Sequence, residues 1–92
     1  MSTQAARKRA ADREYTVNRQ RRLVRAHGAC ELMAPGCTQM ATEAHHVLKR
    51  STRVRHDVEN LRACCHSCNQ WVELHPIEAE RRGWVIREWP AL

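Results

Sequence analysis

The sequence contains no phenylalanine, three tryptophans and one tyrosine, so little aromatic surface is available for a hydrophobic core. It has no apolar run long enough to span a membrane, and its polar N-terminus lacks the apolar centre of a signal peptide. A cytoplasmic chain is therefore expected, and disulfides are rare in that compartment. Five cysteines, an odd number, also argue against a closed disulfide framework.

The length of 92 residues corresponds to one domain with a small core. Domains of this size often depend on a metal, on disulfides or on a partner for stability. Because the apolar fraction includes much alanine and cysteine, we expect a bound metal ion to contribute to the stability of this fold.

The net charge of +6 is concentrated near the N-terminus. Residues 1–27 carry eight of the sixteen lysines and arginines but two of the ten acidic residues, so the rest of the chain is balanced. We assign residues 1–28 to a basic N-terminal helix or arm and residues 29–92 to the folded domain. A basic arm favours a polyanionic partner such as nucleic acid, and a solvated surface helix is the alternative.

Glycine and proline divide the chain into predicted elements. Three segments rich in helix-forming residues are predicted to be helical: residues 4–27, 65–74 and 76–82. Two short segments are predicted to be strands: residues 43–49 and 84–86. Residues 28–42 are predicted to be a loop or knuckle and residues 50–58 a loop or a hairpin return, and residues 57–61 are expected to lead into the second helix, which starts near Cys65.

The cysteines form two pairs, Cys30-x6-Cys37 and Cys65-x2-Cys68. Zinc in structural sites takes four tetrahedral ligands and is often bound by thiolates, so the two pairs predict a zinc site with four cysteine ligands. Such a site would join the loop at Cys30 to the helix that begins near Cys65. Cys64 is left over and is predicted to be a small buried residue. The alternative is a set of unrelated buried cysteines.

His45 and His46 are adjacent, and adjacent side chains of a regular strand point to opposite faces. A neutral imidazole can bind a metal or act as a general base near neutral pH. Two adjacent histidines are more often ordinary surface or core residues. Their position between the two halves of a predicted zinc site, in a basic protein, favours a functional role.

The chain from Cys30 to about Ile86 resembles the HNH endonucleases, which have a ββα-metal fold. The motifs that carry the resemblance are Cys30 and Cys37, Ala44-His45-His46-Val47, Glu59-Asn60-Leu61 and Cys65-His-Ser-Cys68-Asn69. The segments Trp71-Val72, His75-Pro76, Glu78-Ala79 and Gly83-Trp84-Val85 also look like the small phage and bacterial members. The resemblance implies a small α+β, treble-clef-like domain with a structural zinc.

The resemblance also implies roles for four residues outside the zinc site. His46 lies at the position of the general base, and Asn60 at that of the amide that braces the catalytic loop. His45 and Asn69 lie at the positions of the ligands of a catalytic divalent ion. Many members have histidine where this chain has Asn69, and an amide oxygen favours a hard ion such as Mg²⁺ or Mn²⁺. The alternative for Asn69 is a local hydrogen bond.

Double-stranded DNA is the expected partner, and the expected reaction is nicking that leaves a 5′ phosphate and a 3′ hydroxyl. Low sequence specificity is expected because no base-reading helix is recognisable. His56, His66 and His75 receive no catalytic role. His66 is expected to face solvent, and His75 to make a structural hydrogen bond. The candidate phosphate contacts are Arg19, Arg22, Arg50, Arg53 and Arg55.

Two other classes of function compete with a nuclease. A non-catalytic zinc module could bind nucleic acid or a larger partner, such as the terminase that packages phage DNA. If the chain is phage-encoded, its location would be the host cytoplasm. A purely structural zinc protein would not account for the joint presence of His45, His46 and Asn60. The oligomeric state does not follow from the sequence.

Overall fold

The computed structural model of the protein describes residues 3–48 and 56–86. Within those residues, helices and a two-stranded antiparallel sheet form a small α+β fold. The elements are α1 (Gln4–Arg25), β1 (Glu43–His46), a 3₁₀ turn (Val58–Asn60), β2 (Leu61–Cys64), α2 (His66–Leu74) and α3 (Pro76–Arg81). None of the described helices has the length and apolar character needed to cross a membrane.

Helix α1 begins at Gln4 because the hydroxyl of Thr3 accepts a hydrogen bond from the Ala6 amide at 3.1 Å. It ends at Arg25, two residues before the predicted end. His27 and Gly28 adopt positive φ angles of 55° and 73°, which cannot continue a right-handed helix. Helix α1 therefore ends before the segment that contains Cys30.

Strands β1 and β2 form a hairpin in which Glu43 pairs with Cys64 and His46 pairs with Leu61. Side chains alternate along a strand, so Glu43 and His45 lie on one face of the sheet and His46 lies on the other. This arrangement agrees with the expectation that the two histidines point in different directions.

The second helix begins at His66, next to its predicted start near Cys65, but the sequence pattern did not predict the strand β2 that lies between residues 57–61 and this helix. Residues Val58–Asn60 form a 3₁₀ turn, and Leu61–Cys64 form the strand. The physical reason is burial on both faces: Leu61, Ala63 and Cys64 are all fully buried. A strand buried on both faces lacks the polar–apolar alternation that identifies an exposed one.

The predicted strand at residues 84–86 is reduced to one isolated parallel bridge between Leu48 and Ile86. The Ile86 amide donates to the Val47 carbonyl at 2.9 Å. The first predicted strand is also shorter than expected, since β1 ends at His46. Most of the predicted loop, residues 50–55, lies outside the described residues.

The core is small and centres on cysteines, together with Leu32, Val72 and Ala79. Trp71 and Trp84 pack against it with partial exposure. Cys64 is fully buried, which confirms its prediction as a small interior residue. Burial raises the pKa of the Cys64 thiol to about 12, so this thiol stays neutral at physiological pH.

Helix α1 packs on the hairpin and is held there by arginines. The Arg22 guanidinium forms a two-point ion pair with Glu31, with both nitrogen–oxygen distances at 2.9 Å. Arg19 donates to the Thr42 carbonyl at 2.7 Å. The N-terminal helix is thus docked on the rest of the fold, and part of its positive charge is used for that docking.

Candidate active site

The sulfur atoms of Cys30, Cys37, Cys65 and Cys68 all lie within 4.8 Å of one another. Zinc–sulfur bonds of about 2.3 Å in a tetrahedron place the sulfurs about 3.8 Å apart. The separation of 4.0 Å between the sulfurs of Cys37 and Cys65 is close to that value. The cluster predicted from cysteine spacing is therefore present and has the donors and dimensions that zinc requires.

Backbone amides point at these sulfurs from both halves of the cluster. In the loop, the Gln39 amide donates to the Cys37 sulfur at 3.2 Å, and Gln39 itself has a φ of 74°. At the start of α2, the Cys68 amide donates to the Cys65 sulfur at 3.4 Å. Amide donors stabilise thiolates, which are the forms that bind zinc.

The four thiols have unequal acidities when no cation lies among them. Burial raises the pKa of Cys65, but hydrogen bonds from Thr38 and Cys68 outweigh that effect and lower it to about 6. Burial raises the pKa of Cys37 and of Cys68, and the sulfur of Cys30 adds to the rise at Cys37 while that of Cys65 adds to the rise at Cys68. Four thiolates at this spacing repel one another, so a dication is needed for all of them to be ionised together.

His45 is buried, and its Nε2 lies 2.7 Å from the carbonyl oxygen of Trp84. A carbonyl oxygen only accepts hydrogen bonds, so Nε2 carries a proton, and in the neutral imidazole the lone pair is then on Nδ1. Histidine ligands of metals commonly donate their other ring N–H to a backbone carbonyl in this way. The geometry of His45 therefore suits metal binding through Nδ1.

Asn69 lies near the start of α2 and contacts Glu43 of β1. Its Nδ2 donates to the Glu43 carboxylate at 2.7 Å, and His66 Nδ1 donates to the other carboxylate oxygen at 2.7 Å. The hydrogen bond from Asn69 lowers the pKa of Glu43 against the opposing effect of burial, and His66 adds to the lowering. Because Glu43 holds the amide nitrogen, it fixes the orientation of the Asn69 oxygen.

The Glu43 contact places Asn69 on the same face of the sheet as His45, since Glu43 and His45 alternate along β1. The hydrogen bond of the Asn69 side chain runs to Glu43 on β1, so it is a contact between two elements and differs from the local bond offered as an alternative from the sequence. It engages the amide nitrogen, whereas metal binding would use the amide oxygen. An imidazole nitrogen and an amide oxygen are donors that suit a divalent ion of intermediate or hard character, and the Glu43 carboxylate adds negative charge beside them.

His46 lies on the opposite face and is half-buried among other rings. Its ring stacks on Tyr15 at a centroid distance of 5.3 Å, and its Nε2 lies 3.0 Å from His56 Nδ1. Sequence reasoning gave no role to Tyr15 or His56. The contact of Tyr15 with His46 depends on the docking of α1, and no local sequence motif signals the contact of either residue.

Asn60 is fully buried between the two strands. Its side chain accepts from the Leu48 amide at 2.8 Å and donates to the Leu48 carbonyl at 3.2 Å. Its own carbonyl accepts from the Val47 amide at 2.9 Å. Asn60 therefore ties Val47 and Leu48, the two residues that follow His46, to the residue that precedes β2.

The other predicted site residues have different surroundings. His66 is exposed as expected, although it contacts Glu43. His75 Nδ1 donates to the Trp71 carbonyl at 3.0 Å, which confirms its structural hydrogen bond. Arg22 is buried against Glu31, so the structure gives it a docking role within the fold. Arg50, Arg53 and Arg55 lie outside the described residues.

Comparison with protein families supports the sequence-based recognition. Residues 30–72 match the family model described as HNH endonuclease, and this segment contains all four cysteines of the cluster together with His45, His46, Asn60 and Asn69. Residues 30–72 are thus similar to the HNH endonuclease family, and the antiparallel hairpin followed by α2 agrees with the ββα-metal fold. Searches among curated proteins and among solved structures each gave no significant match.

Proposed function

We propose that the protein is a divalent-metal-dependent endonuclease that hydrolyses phosphodiester bonds of DNA. The observation that supports this most strongly is the pair His45 and Asn69 on one face of the hairpin. The Trp84 carbonyl fixes the tautomer of His45, and Glu43 fixes the amide of Asn69. Neither residue belongs to the cysteine cluster, so the two sites can take different metals.

In this proposal, His45 Nδ1 and Asn69 Oδ1 hold a Mg²⁺ or Mn²⁺ ion. When bound, such an ion polarises the phosphate and stabilises the leaving 3′ oxygen. A site with two protein ligands would remain accessible to substrate, as is usual for Mg²⁺. Zinc bound by four thiolates has no such open position and serves the fold.

His46 is the proposed general base, which takes the proton from the attacking water. Asn60 holds the Leu48 main chain and thereby fixes the backbone just after His46. Fixing a catalytic group before the substrate arrives lowers the entropic part of the barrier. The expected products are a 5′ phosphate and a 3′ hydroxyl, and a single site would nick one strand.

DNA affinity is proposed to come from cations on the surface and to be largely independent of sequence. Four cations in the first half of α1 are exposed: Arg7, Lys8, Arg9 and Arg13. Arg50, Arg53 and Arg55 remain candidates from the sequence, and Arg19 joins them only if its contact with Thr42 is compatible with phosphate binding. Such contacts release counterions, so binding should weaken steeply with salt.

A second candidate is a zinc-stabilised module that binds nucleic acid without cutting it. It is favoured by Asn69, a neutral ligand whose amide nitrogen already bonds to Glu43. An accessory role beside a packaging terminase belongs to this class, and it does not conflict with nuclease activity. The cytoplasmic location also stays a prediction from the sequence.

The two candidates differ in their dependence on added metal. Zinc-loaded protein should be freed of loosely bound ions and incubated with supercoiled plasmid, with and without Mg²⁺ or Mn²⁺. The nuclease proposal expects open-circle product only after the ion is added, and loss of product in Asn69→Ala. Binding in a gel shift without nicking under any of several metals would favour the non-catalytic module.

A further inference from the structure

Three aromatic rings meet on the face of the hairpin that carries His46. Tyr15 stacks on His46 with an interplanar angle of 22°, and His56 stands edge-on to both rings at 5.5 Å and 5.2 Å. Each ring comes from a different part of the chain: α1, β1 and the segment before the 3₁₀ turn. The ring plane of His46 is therefore set by two neighbours that are distant in sequence.

The two imidazoles are also joined by a hydrogen bond, with 3.0 Å between His46 Nε2 and His56 Nδ1. A bond between two neutral imidazoles needs a proton on one nitrogen and a lone pair on the other. If His46 is to accept a proton through Nδ1, its Nε2 must be the donor and His56 Nδ1 the acceptor. This tautomer leaves Nδ1 of His46 unprotonated, as a general base requires.

Helix α1 holds His56 in place through its main chain. Asn18 Nδ2 donates to the His56 carbonyl at 3.0 Å, one turn of helix from Tyr15. The same helix thus contacts both histidines, one through a ring and one through a hydrogen bond. The ion pair between Arg22 and Glu31 holds α1 against the rest of the fold. It thereby keeps Tyr15 and Asn18 beside the two histidines.

We propose that His56 and Tyr15 are positioning residues for His46, and that α1 is thereby part of the catalytic apparatus. This proposal rests on the nuclease function. His56 Nδ1 accepts a hydrogen bond from His46 Nε2–H, and this bond stabilises the imidazolium that forms when His46 takes a proton from water at Nδ1. Tyr15 restricts rotation of the His46 ring. Neither residue exchanges a proton with the substrate.

Two variants at each position test this arrangement. His56→Ala removes the acceptor, whereas His56→Asn keeps an acceptor oxygen near the place of Nδ1. Tyr15→Leu removes the stacked ring, whereas Tyr15→Phe keeps it. We expect His56→Ala and Tyr15→Leu to lower kcat for plasmid nicking roughly 10- to 100-fold with little change in KM. His56→Asn and Tyr15→Phe should recover much of the rate, and His75→Ala serves as a histidine control.

A second readout does not depend on nicking. Long-range ¹H–¹⁵N spectra of the zinc-loaded protein, at a pH where both imidazoles are neutral, report which nitrogen of His46 carries the proton. We expect the proton on Nε2 in the wild type and a mixture of tautomers in His56→Ala. A wild-type His46 protonated on Nδ1 would overturn the proposal, and this measurement needs no variant to fold.

The same proposal is overturned if His56→Ala leaves both the His46 spectrum and kcat unchanged. Failure of the nuclease function itself would give a different pattern. In that case the wild type would not nick DNA, while the spectra would still decide whether His56 fixes the His46 tautomer.

Discussion

The ion pair between Arg22 and Glu31 yields the most specific prediction about stability. The side chains are 10% and 23% exposed, and the pair is two-pointed. Glu31 also accepts from the Ala63 amide at 2.6 Å, so its carboxylate links α1, the Cys30 loop and β2. Replacing Arg22 by alanine leaves this carboxylate partly buried without its charged partner.

Breaking one side of a buried ion pair costs about 3–5 kcal/mol of unfolding free energy. Glu31 retains some contact with water, so we take the lower end, about 3 kcal/mol for Arg22→Ala. For a domain of this size, each kcal/mol lowers Tm by about 4–8 °C, which gives a drop of roughly 12–24 °C. The pair Arg25–Glu59 provides a control because both side chains are more than half exposed. Such surface pairs contribute little.

The assay is urea unfolding followed by circular dichroism at one fixed concentration of free zinc, since bound metal raises apparent stability. Arg22→Ala should lose far more stability than Arg25→Ala. Arg22→Met, which keeps the length of the side chain but not its charge, should lose nearly as much as alanine. If Arg22→Ala and Arg25→Ala unfolded at the same urea concentration, the assignment of Arg22 to docking would be refuted.

Three further predictions concern zinc, the candidate second ion and DNA. Cys68→Ser should lose bound zinc and unfold, whereas Cys64→Ala should keep one zinc per chain. Metal analysis together with circular dichroism distinguishes the two variants, and zinc retained by Cys68→Ser would refute the four-cysteine cluster. Glu43→Gln should weaken Mn²⁺ binding roughly 10-fold in calorimetry because the Asn69 amide is no longer held by a carboxylate. The pKa of Glu43 is lowered in the folded state, so the ionised carboxylate stabilises the fold. This contribution is complete above the ordinary pKa of about 4.3 and is lost as the pH falls through the lowered pKa. The stability deficit of Glu43→Gln should therefore be full at neutral pH and shrink in acid, and a constant deficit would contradict this origin. Arg13→Gln should reduce the slope of log affinity against log salt by about 1 in fluorescence anisotropy with duplex DNA, and an unchanged slope would exclude Arg13 as a phosphate contact.

The zinc cluster was predictable from sequence because its chemistry is local. Two pairs of cysteines with short spacings supply four thiolates, and few arrangements other than a shared metal use all four. The structure adds how the backbone prepares the site, through amides of the loop and of α2 that point at the sulfurs. These donors depend on backbone angles that the residue types alone do not specify.

Strand β2 and the surroundings of His46 were not predictable from local patterns. Strand β2 has four residues, and because Cys64 is buried on the face opposite Leu61 and Ala63, apolar–polar alternation does not continue along it. Tyr15 and His56 contact His46 only because α1 docks on the hairpin and the chain returns beside it. Contacts between residues so distant in sequence follow from packing of whole elements.

The number of arginines in α1 was likewise an incomplete guide to nucleic-acid binding. The excess of arginines indicated a polyanionic partner, but a count does not separate exposed arginines from buried ones. Arg22 is used inside the protein, whereas Arg9 and Arg13 are exposed. Only the packing of α1 shows which positive charges face solvent.

The central claim is that His46 removes a proton from water while a separate ion holds the phosphate. It is tested most directly by the plasmid nicking rate of His46→Ala relative to the wild type, in preparations matched for one zinc per chain and for circular dichroism. General-base catalysis contributes about 10²- to 10⁴-fold, so we predict a loss of at least roughly 100-fold with Mg²⁺ or Mn²⁺. Equal nicking by the two proteins would contradict the account.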